Sequence, residues 1–295
     1  MLYIIIGAVE LGLIYSLMSL GLFMSYRILN VADLTVDGSF TTGAAVSAML
    51  AVNGHPLLGL LCAIPAGAAA GLITSLLQTK LKIQPILSGI LTMTFLYSAN
   101  LWIMGNRSNL SLLGKTTVFS SAKELFGSSS KLPVILLTVL LACLFLGFFL
   151  RTKTGLSVRA TGDNVEMVRA SSINPHYTNA IALCIANALV ALSGGLLAQY
   201  QQSADISMGI GMVVIGLASV IIGEVIIGSS SINRHILAIL AGSVLYRCFI
   251  AMALRAASSN DLKAISAVIV TIAISYPTIK ELFAVRKLKK EARNG

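Results

Sequence analysis

Residues 132–150 read LPVILLTVLLACLFLGFFL, and the next stretch, residues 151–176, reads RTKTGLSVRATGDNVEMVRASSINPH. The first stretch is uncharged and long enough to cross the roughly 30 Å hydrocarbon core of a bilayer as a helix. The second carries so many charged and polar side chains that it cannot remain in lipid. The pair therefore predicts a membrane helix that ends at a polar loop outside the membrane.

Apolar runs of this kind recur along the whole chain. Of its 295 residues, 56% are hydrophobic and only 11% are charged, whereas a soluble domain carries about 25% charged residues. So few charges cannot cover a globular surface, so we predict an all-α polytopic membrane helix bundle that forms one domain over residues 1–295. We expect about eight or nine membrane segments, at roughly 3–26, 33–52, 57–79, 83–104, 132–150, 177–199, 210–228, 236–254 and 264–284.

Lys and Arg predict the orientation of these segments. If loop 151–176 is cytoplasmic, alternation of the segments places most Lys and Arg residues on the same side, including the basic tail at about 285–295. Positive charge marks the cytoplasmic side, so we predict an outside N-terminus and a cytoplasmic C-terminus. No basic residue precedes Arg27, so residues 1–26 are interpreted as a membrane helix and not as a signal peptide.

Two membrane segments carry charges that predict a broken or re-entrant helix. Segment 236–254 contains Arg247, and segment 33–52 follows Asn30 and contains Asp33 and Asp37 in its first turns. Acids at membrane depth face protein or water, so Asn30, Asp33 and Asp37 are candidates for a translocation pathway or a hinge beside it. The alternative is a helix N-terminus at the membrane interface, capped by Asp33.

Glu224 and Glu10 are isolated acids in apolar runs. Glu224 is a candidate for the pathway or for proton coupling. The structural alternative is a buried pair with a basic residue such as Arg247.

The polar loop contains a pattern typical of a short amphipathic helix over about 164–171. Asp163 or Asn164 can cap it, and Pro175 can begin the next membrane helix. Such a helix can dock into a groove on another protein, or it can lie on lipid headgroups.

Several kinds of chemistry lack their sequence motifs. The sequence contains no GxxxxGK[ST], HExxH or GxSxG motif, and its four cysteines form no CxxC pair. Basic residues interleaved with aromatic ones, as in a nucleic-acid surface, are also lacking. We therefore predict no enzymatic site, metal site or cofactor in this chain, and no nucleic-acid partner.

The polar loop and its surroundings resemble the permeases of the branched-chain amino acid and ribose type of bacterial ABC importer. Residues 155–198, with the run Arg159-Ala160-Thr161-Gly162-Asp163-Asn164, resemble the coupling segment of that family. Residues 30–45 resemble its second-helix region, and residues 216–242 its Gly-rich late helix, although Glu224 stands where the amino acid permeases usually have Gly. Leu245-Tyr246-Arg247 and Asp261-Leu262-Lys263 are closer to a subgroup labelled as importers of tryptophan or other aromatic amino acids.

The resemblance implies the permease subunit of an ABC importer in the bacterial plasma (inner) membrane. Such a subunit takes up a small solute, here an amino acid of the aromatic class, by alternating access. The implied partners are a cytoplasmic ATPase dimer that binds ATP and Mg²⁺, a second permease copy, an external substrate-binding lipoprotein and the lipid bilayer. The residues that would contact the ATPase are Gly162, Asp163, Asn164, Glu166, Met167 and Ala170.

Two other classes of function remain open on the residues alone. In an ion-coupled secondary transporter, one of the acids Glu10, Asp33, Asp37 or Glu224 would bind H⁺ or Na⁺. A membrane scaffold would need none of them for transport.

Overall fold

The computed structural model describes residues 2–126, 131–228 and 230–256, together with the single positions 268, 271 and 275. The described chain is a bundle of helices with one small two-stranded antiparallel sheet. The elements in chain order are α1 (Leu2–Leu22), a π-helical segment (Phe23–Ile28), α2 (Thr35–Val52), α3 (Pro56–Thr79), α4 (Pro85–Ile103), β1 (Asn109–Ser111), α5 (Val118–Phe126), α6 (Lys131–Phe149), α7 (Lys153–Asp163), α8 (Val165–Ala170), α9 (Pro175–Gln201), β2 (Ser203–Asp205), α10 (Met212–Ile227) and α11 (Ile232–Ala256).

Six of the described helices are long and apolar enough to cross a membrane. They lie at Ile4–Ile28, Pro56–Thr79, Pro85–Ile103, Lys131–Phe149, Pro175–Gln201 and Ile232–Ala253. The prediction of a polytopic helical membrane protein is confirmed. The ninth predicted segment, 264–284, the 261–263 motif and the tail 285–295 lie outside the continuously described residues.

Helices α2 and α10 do not qualify as full spans. Predicted segment 33–52 forms α2, with 18 residues, and predicted segment 210–228 forms α10, with 16 residues. The prediction that segment 236–254 is broken is wrong, because α11 runs without interruption through Arg247. Its guanidinium lies over the ring of Tyr15, so the backbone does not need to open to accommodate the charge.

Helix α9 forms the centre of the bundle and packs against α1, α2 and α3. Glycines allow this close approach. A Cβ atom added at Gly43 would overlap the carbonyl group of Ala191, and one added at Gly194 would overlap the carbonyl oxygen of Phe40. Carbonyl groups of α2 and α9 therefore touch the facing backbone directly.

Replacing Gly43 with alanine should destabilise the protein. The methyl group meets backbone that cannot rotate away, and overpacking of this kind costs about 1–3 kcal/mol. Gly7→Ala is the matched control, because no atom lies within 4 Å of the added Cβ. Both changes favour the helix intrinsically by about 1 kcal/mol. Thermal unfolding of the purified proteins should show a loss for Gly43→Ala alone, and equal unfolding temperatures would contradict the packing seen here.

The strands cover one end of the bundle. β1 pairs antiparallel with β2, with Leu110 opposite Ala204, and both residues pack against Ala44, Ala48 and Ala198. After β2 the chain turns back into the bundle, where Gly209 lies against the carbonyl oxygen of Asp37. The segment that leads into α10 therefore packs directly against the first turn of α2.

The polar loop 151–176 forms two helices, of which the sequence predicts only the second. The Thr152 hydroxyl caps α7 by accepting a hydrogen bond from the Gly155 N–H (3.1 Å). The Asn164 side chain caps α8 by accepting a hydrogen bond from the Met167 N–H (3.0 Å). Asn164, and not Asp163, is the cap. Pro175 is the first residue of α9, as predicted.

Candidate functional site

Asp33 is fully buried inside the bundle, two residues before α2 begins. Its Oδ1 accepts a hydrogen bond from the backbone N–H of Thr35 (2.9 Å). Its Oδ2 accepts another from the Asn187 side-chain amide in the middle of α9 (2.7 Å). Asn187 in turn accepts a hydrogen bond from the Ser39 hydroxyl (2.6 Å). Asp33 thus accepts the first N–H of α2 and joins the start of that helix to α9 within the protein.

Asp37 caps a different helix from the one that carries it. Its carboxylate oxygens accept hydrogen bonds from the backbone N–H groups of Gly211 (2.8 Å) and Val213 (2.9 Å), at the start of α10. The neighbouring Gly209 N–H donates to the Thr41 hydroxyl (3.1 Å). The first turn of α2 and the first turn of α10 are therefore held together by one side chain.

The two carboxylates bring together the N-termini of two short helices. A helix N-terminus carries unpaired N–H groups and a partial positive charge of about half an elementary charge. Asp33 and Asp37 supply acceptors and negative charge there. Among the described residues, no Lys or Arg lies within 4 Å of either carboxylate. The helix ends are thus their main electrostatic partners.

Asn30 does not join this pair. It is exposed and has a left-handed backbone conformation with φ +57°, which asparagine tolerates better than most residues. In the described chain it makes no hydrogen bond to Asp33 or Asp37. Its place is the turn between the π-helical segment and α2.

Hydroxyl groups extend the buried polar network from α2 toward α3 and α4. The Thr35 and Thr74 hydroxyls are 2.6 Å apart, and Thr74 donates to the Thr92 hydroxyl (3.0 Å). The sequence analysis missed these residues and Asn187. Asn187 is a polar amide in the otherwise apolar predicted segment 177–199, and that isolation is the signal that could have identified it.

Glu224 lies at the opposite end of α10 and belongs to a separate cluster. Its Oε1 is 3.0 Å from Arg27 Nε of the π-helical segment and 2.6 Å from His235 Nε2 of α11. The ring of Phe23 packs on the imidazole with centroids 4.6 Å apart. The alternative that Glu224 pairs with a basic residue is confirmed, but the residue is Arg27, with His235 beside it, and not Arg247. Three elements therefore meet at one carboxylate.

Glu10 is also separate from these groups. Its Oε2 accepts a hydrogen bond from the Tyr200 hydroxyl (2.8 Å). Lys131 Nζ lies 4.7 Å from the centroid of the Tyr200 ring. This contact ties α1, α6 and α9 together near the ends at which β1 and β2 lie.

Helix α8 and the last residue of α7 present an exposed surface, whereas the rest of α7 packs against α9 and the π-helical segment. The exposed residues include Asp163, Asn164, Glu166, Met167 and Ala170. Val168 is buried and anchors α8. Glu166 pairs with Arg169 at 2.8 Å, with both side chains largely in solvent.

The base of this pair of helices is joined closely to the membrane helices. A Cβ atom added at Gly162 would overlap the carbonyl oxygen of Ile28, at the end of the π-helical segment. The hydroxyls of Thr161 and Thr178 lie 2.8 Å apart and join α7 to the start of α9. A force on α7 and α8 would therefore reach α1 and α9 directly.

Comparison with known proteins identifies the kind of molecule. The family described as branched-chain amino acid transport system, permease component, matches residues 4–275. The tyrosine transport system permease protein of Clostridioides difficile is 39% identical over 269 residues, covering 90% of this chain and 88% of the relative. An uncharacterized protein of Rickettsia prowazekii is 36% identical, covering 84% of each chain.

A more distant relative points to the same family. A probable branched-chain amino acid transport permease protein of Methanocaldococcus jannaschii is 26% identical, covering 81% of this chain and 80% of the relative. No solved structure matches the chain. The chain therefore belongs to the permease-component family of branched-chain amino acid transport systems, and it is a multi-pass protein of the bacterial inner membrane.

Proposed function

We propose that the protein takes up an amino acid of the aromatic class as the permease subunit of an ABC importer. The observation that carries the proposal is the family match, together with a pair of polar helices, α7 and α8, of which α8 is exposed. The amino acid class follows the names of the relatives, and the aromatic class follows the tyrosine permease. Residues 1–295 act as one permease domain with an outside N-terminus and a cytoplasmic C-terminus.

The ATPase is a separate dimer that docks on α7 and α8 from the cytoplasm. Gly162, Asp163, Asn164, Glu166, Met167 and Ala170 form the contact, and ATP and Mg²⁺ bind in the partner. The close contact of Gly162 with the π-helical segment supports this role. Because α7 and that segment pack without a gap, a movement of α8 should displace the π-helical segment as well. A second permease copy and an external lipoprotein complete the importer.

The two internal helices α2 and α10 border the translocation pathway, and Asp33 and Asp37 act as its hinge. Transporters place their sites where helices begin inside the membrane. Because each carboxylate already accepts backbone hydrogen bonds, its role is to hold the helix ends together and not to bind substrate. Asn30 lets the chain turn before α2, and Glu224 holds the other end of α10 to α1 and α11.

The proposal is tested by gentle purification of the tagged chain from its native membrane, followed by mass spectrometry. We expect a stoichiometric cytoplasmic ATPase and a substrate-binding lipoprotein. A chain that arrives alone, and transports in liposomes on an ion gradient, would contradict the importer and favour an ion-coupled transporter.

Reversing one charge and introducing another at the docking surface should uncouple ATP hydrolysis from uptake. Glu166→Arg and Met167→Glu alter exposed side chains, and an exposed ion pair such as Glu166 with Arg169 contributes at most about 1 kcal/mol to stability. We therefore expect the membrane fold to be retained and substrate uptake per ATP hydrolysed to fall severalfold. Uptake and ATPase activity are measured together in proteoliposomes.

The matched control for this experiment is Arg107→Glu. It reverses a charge at an exposed position in the connection between α4 and β1, on the side opposite to the proposed ATPase. It should leave coupling intact. Normal coupling in both docking variants would show that α8 is not the contact.

A further inference from the structure

Arg247 is a charged side chain inside a membrane-crossing helix. It lies in the span Ile232–Ala253. Ser243, four residues earlier, and Ile250, three residues later, are both buried, so Arg247 lies on the face of α11 that is turned to the bundle. In the described part of the chain, no carboxylate oxygen lies within 4 Å of its guanidinium.

Within the described residues this cation has an aromatic surface, and its buried Nε–H has no hydrogen-bond acceptor. The guanidinium lies 3.6 Å from the centroid of the Tyr15 ring, and that ring stacks on Phe40 with centroids 6.1 Å apart. Arg247 Nε is buried and has no hydrogen-bond partner. A cation–π contact holds the guanidinium plane but uses none of its five N–H donors.

Charged groups at membrane depth are costly and face a cavity, a partner or a ligand. Asp37 is not its partner among the described ion pairs; the Asp37 oxygens accept backbone hydrogen bonds from the start of α10. Arg247 thus has a buried N–H donor without an acceptor, and the Tyr15 ring on which it lies stacks on Phe40, one helical turn after Asp37. This is the region in which α2 and α10 begin.

We propose that the Arg247 guanidinium binds the carboxylate of the transported amino acid. The planar fork of arginine matches a carboxylate with two parallel hydrogen bonds, and lysine does not reproduce this geometry. The inference rests on the proposed function, because the ligand is the amino acid that this permease carries. A lipid phosphate offers the same anionic chemistry, so the experiment must separate the two sources.

The experiment uses the permease–ATPase complex in lipid nanodiscs without the binding protein. Binding is measured for L-tyrosine, L-tryptophan and L-leucine, and for tyramine, tryptamine and isoamylamine, which lack the carboxylate. In the wild type we expect at least one amino acid to bind about tenfold or more tighter than its amine, as expected for a charged hydrogen bond. Arg247→Gln should abolish this difference, and Arg247→Lys should keep part of it.

Arg234→Gln is the matched control, because it removes the same charge from an exposed position on the same helix. It should preserve the discrimination between amino acid and amine. If Arg247→Gln fails to assemble, the wild type still gives an answer through labelling of Arg247 by phenylglyoxal, read by mass spectrometry. Protection by the amino acid but not by the amine supports the proposal.

Two results would overturn the carboxylate site. One is an assembled wild-type complex that binds no amino acid tighter than its amine. The other is unchanged discrimination in Arg247→Gln together with the loss of a co-purifying phospholipid, which would assign the guanidinium to lipid. Failure of the wild type to retain any ATPase is a distinct result and would contradict the proposed function itself.

Discussion

Replacing Asp37 with alanine should abolish transport while the protein still inserts into the membrane. The change removes both acceptors that hold the Gly211 and Val213 N–H groups. Loss of a helix cap costs about 0.5–2 kcal/mol, and the cost lies toward the upper end where the donors left without an acceptor are buried. We expect the first turn of α10 to open and uptake to fall by about tenfold or more.

Asp37→Asn separates the shape of the cap from its charge. The asparagine carbonyl oxygen can accept one of the two hydrogen bonds, but its NH₂ group would oppose the other N–H donor. An intermediate loss of uptake and of thermal stability is therefore expected. Both are measured on the purified complex, by uptake in proteoliposomes and by thermal unfolding.

Asp205→Ala is the matched control for Asp37→Ala. Asp205 also accepts a backbone hydrogen bond, from Ser207 N–H (2.8 Å), but it lies on β2 outside the membrane spans. Hydrogen bonding from the Ser207 side chain holds the pKa of the Asp205 carboxyl below its ordinary value. Its loss should change uptake little. Normal uptake by Asp37→Ala would show that the α2–α10 junction is not required for transport.

The sequence predicts the long spans well because a long uncharged apolar helix is stable in lipid and not in water, whatever the rest of the chain does. Segment 132–150 cannot be in water, and the structure places α6 there. The loop helix α8 is predicted nearly to the residue, because its cap and the following proline are local signals. Helix α7 is missed, since its packing face is supplied by the π-helical segment and by α9, which are distant in sequence.

The internal start of α10 could not be predicted from its own residues. Apart from Glu224, segment 210–228 is apolar and resembles any other span. The acid that caps its first turn, Asp37, lies far away in the chain. The same holds for Glu224, whose partners Arg27 and His235 come from two other elements. The sequence shows that a charge needs a partner, but only the packing of helices decides which partner it finds.

Replacing Asn187 with leucine should destabilise the protein more than any other single change proposed. The carboxylate of Asp33 would remain fully buried and keep donors from Thr35 alone. Hydrogen bonds to charged groups contribute about 1.5–3 kcal/mol, and the Ser39 hydroxyl would lose its acceptor as well. We expect a large fall in the thermal unfolding temperature and in the yield of assembled complex.

Exchanging the two residues tests whether Asp33 serves structure or ion coupling. In the double variant Asp33→Asn with Asn187→Asp, the new amide at 33 can still accept from Thr35 N–H and donate to the new carboxylate, which can still accept from the Ser39 hydroxyl. If the network only fixes α2 to α9, the exchange should recover part of the stability and uptake that Asn187→Leu loses, because a carboxylate at 187 cannot donate to the Leu183 carbonyl as Asn187 does. If a carboxylate at position 33 binds H⁺ or Na⁺, moving it to position 187 should abolish uptake even where folding is retained. Recovery of folding without recovery of uptake, together with uptake that follows an ion gradient in the wild type, would therefore favour the ion-coupled transporter over the importer's hinge.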